Sequence, residues 1–138
     1  KLQTNKVKFA VKLFDYIHSV DSEKLAKKIA DEQNKINKNI KIFLQVNIGD
    51  ENQKAGINKN ELKQLVSYCK ATNLNLIGLM CIPPANINPE VYFDEMKNLN
   101  KDLGFEELSM GMSSDFLIAA KHESTFIRVG SSIFGQRS

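Results

Sequence analysis

A chain of 138 residues, 42% apolar and 25% charged, has the size and make-up of one globular domain rather than of a disordered or fibrous chain. Its net charge of +3 comes with lysines spread over helical faces and no basic cluster interleaved with aromatics, which speaks against a nucleic-acid surface. No apolar run approaches the ~18 residues of a membrane span, and Cys69 and Cys81 match neither a metal-ligand spacing nor a disulfide framework. Two free buried thiols are therefore expected, with no metal and no membrane, and they suit a cytoplasmic protein.

In chain order, residues 3–13 read as a helix or the end of one, and residues 16–20 as a strand. Asp21 is placed to cap a helix through Asn34, with Leu25, Ala26, Ile29 and Ala30 as its buried stripe. Residues 40–48 form the clearest strand. Ile40, Ile42, Leu44, Val46 and Ile48 share one face, and Lys41, Phe43, Gln45 and Asn47 the other. Asn58 and Glu61 have the spacing of a capping box before a helix that turns Leu62, Leu65, Val66 and Cys69 inward. Residues 74–82 form a third strand, ended by Pro83-Pro84. Asn88 is placed to cap a helix with Pro89 at its first position, and Gly104 stops that helix. Residues 108–112 are a short strand, Ser113 or Ser114 caps the next helix, and residues 126–130 form the last strand.

Five strands separated by helices imply parallel pairing through crossovers. Two α/β architectures satisfy that order: an open doubly wound sheet, or a (β/α)8 barrel. A barrel needs about 250 residues, so this chain would supply only its second part. No Gly-rich turn follows the first strand, where a dinucleotide fold would carry its phosphate site. The small-residue turns follow the last two strands instead, and this favours the barrel.

Those two turns are Ser109-Met110-Gly111-Met112-Ser113-Ser114-Asp115 and Arg128-Val129-Gly130-Ser131-Ser132-Ile133-Phe134-Gly135. Gly and Ser add little bulk and present N–H and hydroxyl donors, so both turns can approach a phosphate closely. The same residues also make ordinary turns and helix caps. Arg128 lies between apolar Ile127 and Val129, so its own side faces the interior; the other reading of such a residue is a surface salt bridge at a strand end. Asn47 and Gln45 share the face expected to line the barrel, with Asn47 nearer the strand end. His18 and Ser19 end a strand, and His122 reads as a surface residue. Met80, Met110 and Met112 can pack around a ligand, although single methionines are more often core filler. Lys54 is either a solvated loop lysine or a basic site residue before Gly56.

Taken together, these pieces resemble a known family in register along the whole chain. They are residues 2–6, His18-Ser19-Val20-Asp21, Gln45-Val46-Asn47 with Glu51 and Lys54-Ala55-Gly56, residues 78–83, and the two turns above. The family is that of the pyridoxal 5′-phosphate (PLP) homeostasis proteins (YggS/PROSC), whose barrel is similar to the N-terminal domain of alanine racemase. The resemblance implies a TIM-type (β/α)8 barrel, of which residues 1–138 are a single partial domain carrying about the last five strands. It places three further strands, and the lysine that attaches PLP, before Lys1. The uncovered strand edges would then lead a fragment of this kind to self-associate or to need the missing strands, whereas the full-length protein is expected to be a monomer.

The resemblance also assigns roles. Arg128 meets the pyridine nitrogen of PLP. Gly130, Ser131, Ser113 and Ser114 hold the phosphate, Met80, Met110 and Gly111 lie around the ring, Asn47 sits at the ligand end of its strand, and Lys54 lies near the phenolic oxygen. An arginine only donates, so the ring nitrogen stays unprotonated and carbanion chemistry is disfavoured. The implied function is a non-catalytic carrier in vitamin B6 homeostasis that hands PLP to PLP-dependent apo-enzymes. Two rivals stand beside it: a racemase- or decarboxylase-like enzyme, which would add a second, mostly β domain after the barrel, and a barrel for another phosphorylated small molecule.

Overall fold

The computed structural model describes residues 1–52 and 54–136. A 3₁₀ turn, Thr4–Lys6, leads into α1 (Val7–Leu13). Then come β1 (Tyr16–Val20), α2 (Glu23–Lys35), β2 (Lys41–Val46), and a second 3₁₀ turn, Lys59–Glu61, continuing into α3 (Leu62–Ala71). The remaining elements are β3 (Asn75–Cys81), α4 (Glu90–Asp102), β4 (Glu107–Met112), α5 (Phe116–Lys121), β5 (Phe126–Arg128) and the single turn α6 (Ser131–Phe134). All strand pairs are parallel, and the sheet order is the chain order, β1-β2-β3-β4-β5. This is a parallel half-barrel, and the crossovers expected from the alternation are all present.

The sheet is strongly curled. Strands in a sheet lie about 4.8 Å apart, so a flat sheet would set β1 about 19 Å from β5. Here the ring centroids of Tyr16 and His18 on β1 each lie 5.4 Å from that of Phe126 on β5. Curling gives the sheet an inner face as well as a helix-covered outer one. That explains β2, which buries every side chain from Ile42 to Val46 rather than alternating buried with exposed. On the outer face Ile40, Ile42, Leu44, Val46 and Ile48 join Leu25, Ile29, Leu62, Leu65 and Cys69 in the main core. The expected stripes of α2 and α3 are both buried there.

Helix starts differ from expectation. Ser22, not Asp21, caps α2: its extended backbone (φ −157°) brings Oγ to accept the Leu25 N–H at 3.2 Å. Asp21 instead accepts the Gly56 N–H at 3.2 Å and pairs with Lys1 at 3.1 Å. Asn58 caps no backbone donor. Its amide goes to the Glu61 carboxylate, and the chain closes through a 3₁₀ turn with the Glu61 N–H on the Asn58 carbonyl. Neither Ser113 nor Ser114 caps α5. Asp115 occupies the cap position, and its carboxylate bends back to accept the Met112 N–H at 2.7 Å. The stop of α4 is as expected, with Gly104 at φ +77°; at its start Pro89 rather than Asn88 takes the cap position, and Asn88 Oδ1 accepts the Glu90 N–H.

The last two strands are joined partly by side chains. The Leu108 N–H donates to Thr125 Oγ1 and the Met110 N–H to Ser124 Oγ, so hydroxyls stand in for carbonyls that the three-residue β5 does not provide. On the β3 side, Gly78 pairs in register with Glu107, and a methyl group there would fall on the Glu107 carbonyl and within 3.1 Å of Phe43. Gly78→Ala is expected to destabilise the fold by about 2–3 kcal/mol, a typical overpacking cost; an unchanged unfolding midpoint in urea would show that β3 and β4 can separate freely.

Candidate functional site

Register fixes which side chains meet inside the curl. Gln45 is opposite Met80, Met80 opposite Ser109, and Ser109 opposite Phe126. These share the inner face with His18, Phe43 and Arg128. His18 stacks on Phe43 with centroids 4.3 Å apart, and both rings meet Phe126 edge-on.

Arg128, at the end of β5, turns inward as its apolar neighbours predicted. Its Nη1 donates to Ser109 Oγ at 2.5 Å and its Nη2 to the Cys81 carbonyl at 2.9 Å. Both partners are neutral oxygens, and among the described residues no carboxylate lies within ion-pair distance of the guanidinium. Burial lowers its pKa from the usual arginine value, an effect partly offset by Cys81 and Asp115. Arginine remains cationic through any such shift. The result is a half-buried positive charge whose existing hydrogen bonds leave it uncompensated.

Ser109 is fully buried and joins two groups: its Oγ also lies 2.8 Å from His18 Nδ1. Burial lowers the His18 pKa, and the Arg128 charge lowers it further. The Cys81 thiol is pushed up to about 12 by burial, so it stays protonated and inert.

At the strand ends, Ser113 Oγ accepts the N–H groups of Gly130 and Ser132, each at 3.2 Å. One hydroxyl thus ties the turn after β4 to the turn after β5. Ser131 is exposed at the start of α6. Ser114 lines a cavity of about 360 Å³ at the ends of β3 and β4, with Ile82, Pro83, Gly111, Met112 and Asp115.

Several expected site residues have other positions. Met80 is on the inner face as proposed, but Met110 is not: next to Ser109 in β4, it points outward into the helix-covered core. Gly111 lines the cavity at the ends of β3 and β4 and is also a packing position. At φ +99° it lets α5 approach so closely that a Cβ would sit 2.7 Å from the Ala119 Cβ. The Asn47 amide is occupied at both ends by the Glu51 backbone, at 2.8 and 3.2 Å, because the chain leaves β2 after Val46 and turns. Lys54 pairs with Glu51 at 2.7 Å in the same loop. His122 is half-buried, 3.8 Å from Asp94, rather than on the open surface. Ser109 carried no predicted role. Its signal was present nonetheless: a small polar residue between Leu108 and Met110, alternating with apolar neighbours, marks a polar inner position.

Comparison with known proteins bears on this geometry. Residues 2–138 match the family described as the alanine racemase N-terminal domain. A pyridoxal phosphate homeostasis protein of Aquifex aeolicus is 38% identical over 99% of the chain. The chain spans 64% of that relative's length. The chain belongs to the pyridoxal phosphate homeostasis protein family. PipY of Synechococcus elongatus, solved without PLP, superposes with a TM-score of 0.89 at 34% identity, covering 98% of this chain and 68% of PipY. PipY solved with PLP bound superposes with a TM-score of 0.82 at the same identity and coverage. Family membership agrees with the five-strand parallel half-barrel and with the in-register segments. Among the described residues no helix is long and apolar enough to cross a membrane, and no group of three or more His, Cys, Asp or Glu is placed to hold a metal.

The His18 environment has a consequence for acid stability. Its folded pKa lies below the ordinary 6.5, so as pH falls the unfolded chain takes up a proton first. His18 therefore makes stability fall as pH drops through and below 6.5. His18→Gln is expected to flatten the difference in urea unfolding free energy between pH ~7 and pH ~5.5. The same pH slope in both proteins would place the acid sensitivity elsewhere.

Proposed function

We propose that this chain is the PLP-binding part of a (β/α)8 barrel that carries PLP without using it in catalysis, within cytoplasmic vitamin B6 homeostasis. The observation that carries this reading is Arg128: a half-buried guanidinium on the inner face, held by neutral oxygens, beside two strand-end turns whose N–H and hydroxyl groups converge at Ser113. A ligand with a phosphate at one end and a ring acceptor at the other fits that donor set. When bound, PLP supplies an aldehyde that condenses with amines and a ring that can draw electrons.

The chain's own residues divide that work. Gly130, Ser131, Ser113 and Ser114 bind the phosphate at the turns after β4 and β5. Arg128 donates to the ring nitrogen and leaves it unprotonated, since a guanidinium has no proton-accepting atom. That choice favours carrying over carbanion chemistry, which an acid at this position would serve better. Met80 and Phe43 exclude water from the inner face. The lysine that attaches PLP is assigned to the segment before Lys1, with the first strands of the barrel. The buried, protonated thiols of Cys69 and Cys81 support a reducing compartment. PLP-dependent apo-enzymes are the proposed receivers.

The test is a titration of the full-length gene product with PLP, inorganic phosphate and a sugar phosphate, followed by absorbance and fluorescence. PLP is expected to bind far more tightly than either control. Arg128→Ala should weaken PLP about tenfold to a hundredfold, the loss expected for a charge-assisted hydrogen bond. Ser113→Ala should cost about tenfold through the phosphate, whose two turns it no longer joins. Equal affinity for PLP and the sugar phosphate would favour a general phosphate-binding barrel instead.

A further inference from the structure

Ser109 stands at a junction that the proposed function does not itself require. Its Oγ lies 2.5 Å from Arg128 Nη1 and 2.8 Å from His18 Nδ1, and the residue has no exposed surface. A hydroxyl has one proton and two lone pairs. The guanidinium can only donate, so it takes a lone pair. The hydroxyl proton then goes to His18 Nδ1, which must be the unprotonated nitrogen, and the imidazole proton is on Nε2. Stacking on Phe43 and the edge contact with Phe126 hold the ring in the plane that this bond needs.

We propose that His18 and Ser109 are positioning residues for Arg128: a one-way chain, guanidinium to hydroxyl to neutral imidazole, that fixes the face of the arginine toward the ring nitrogen of PLP. The proposal rests on the reading of Arg128 given above. Three points of the guanidinium's surroundings are set by different strands: His18 by β1, Cys81 by β3 and Ser109 by β4. Nη1 is held through Ser109 and Nη2 by the Cys81 carbonyl, so rotation about the last bonds of the side chain is stopped. A lone serine would leave its hydroxyl proton undirected. His18 gives that proton a fixed acceptor, and so keeps the lone pair turned to Arg128.

The chain works in one protonation state. A protonated His18 must donate at Nδ1, which reverses the bond to Ser109 and sets a second cation beside Arg128. The other charged or titratable groups around the pair are Cys81 on β3, Asp115 before α5, and Tyr16 on β1, whose ring and hydroxyl are met by Lys41 of β2. Among the described residues no carboxylate hydrogen-bonds His18, so no ion pair at the ring offsets the added charge; Asp115 acts on Arg128 only through space. The preference for a ring acceptor should therefore weaken in acid.

Two measurements on the full-length gene product separate the parts of this argument. Nitrogen-15 NMR of His18 reads its tautomer without any ligand: Nδ1 unprotonated and Nε2 protonated in the parent protein, a mixture in Ser109→Ala. Affinity is then compared for PLP and for its carbocyclic analogue, in which C–H replaces the ring nitrogen. Ser109→Ala should weaken PLP about tenfold and leave the analogue unchanged, because only PLP uses the oriented guanidinium. His18→Phe, which keeps a ring against Phe43, should act in the same direction and abolish the loss of PLP preference below pH ~6.5. It carries the comparison should Ser109→Ala fail to fold. Equal weakening of PLP and analogue in both variants would reduce the pair to general packing and overturn the proposal, as would a His18 protonated at Nδ1. If Arg128→Ala spares PLP as well, the reading of Arg128 at the ring nitrogen is what fails, while the His18 tautomer still reports whether the chain of hydrogen bonds exists.

Discussion

Curling of the parallel sheet is the constraint on which the rest of this structure depends. β1 and β5 are at opposite edges, yet Tyr16 and His18 meet Phe126 at van der Waals range. Parallel strands twist with a fixed hand, and twist accumulated over five strands closes the inner face on itself. That closure lets a β5 arginine reach a β3 carbonyl two strands away. It also makes space scarce, which is why Gly78 and Ser109 occupy positions where larger side chains would collide or fill the interior. Without the curl, Arg128 would be a solvated strand-end charge, and its hydrogen bonds to β3 and β4 could not coexist.

The polar interior has a particular electrostatic character. A buried guanidinium is costly unless its donors are satisfied, and a carboxylate is the usual partner. Here the satisfying atoms are a hydroxyl and a carbonyl. They relieve the donors' desolvation but cancel none of the charge. The inner face therefore keeps a positive potential in a poorly hydrated setting, where electrostatic interactions are stronger than in water. Such a site attracts acceptor atoms and anions and repels a second cation, which is also why His18 is held neutral.

The fold was largely legible in the sequence because it is written in periodicity. The apolar stripes of α2 and α3, the alternation of β2 and the stop at Gly104 depend on local spacing and held in three dimensions. Helix caps were less legible. Asp21, Asn58, Ser113 and Ser114 are all competent cap residues, but Asp21 and Ser113 have partners distant in sequence, Ser114 has an adjacent competitor in Asp115, and Asn58 bonds the Glu61 side chain instead of a backbone N–H. Ser22 outbids Asp21 by one position, and Ser113 is taken by the turn after β5. The inward direction of Arg128 was legible from its apolar neighbours. The site was misread at Met110 because Met80 and Met110 look alike as residues near strand ends. Register separates them: Met80 lies opposite Ser109, so the residue next to Ser109 must face away. Asn47 was misread for a different reason. The strand ends at Val46, and although Ile48 still packs in the core, the Asn47 side chain turns to the backbone of the following loop.

The chain-order sheet also bears on how the molecule is made. Each strand pairs with the one synthesised just before it, with a single helix between them. On the ribosome no strand need wait for a distant, later partner, so the half-barrel can be assembled from its N-terminal edge as the chain emerges. The exception is the inner face: Phe126 and Arg128 come last, and until they arrive His18, Phe43 and Ser109 lie open. Interruption of synthesis near Thr125 would therefore leave a paired sheet with an unfilled, sticky concave surface.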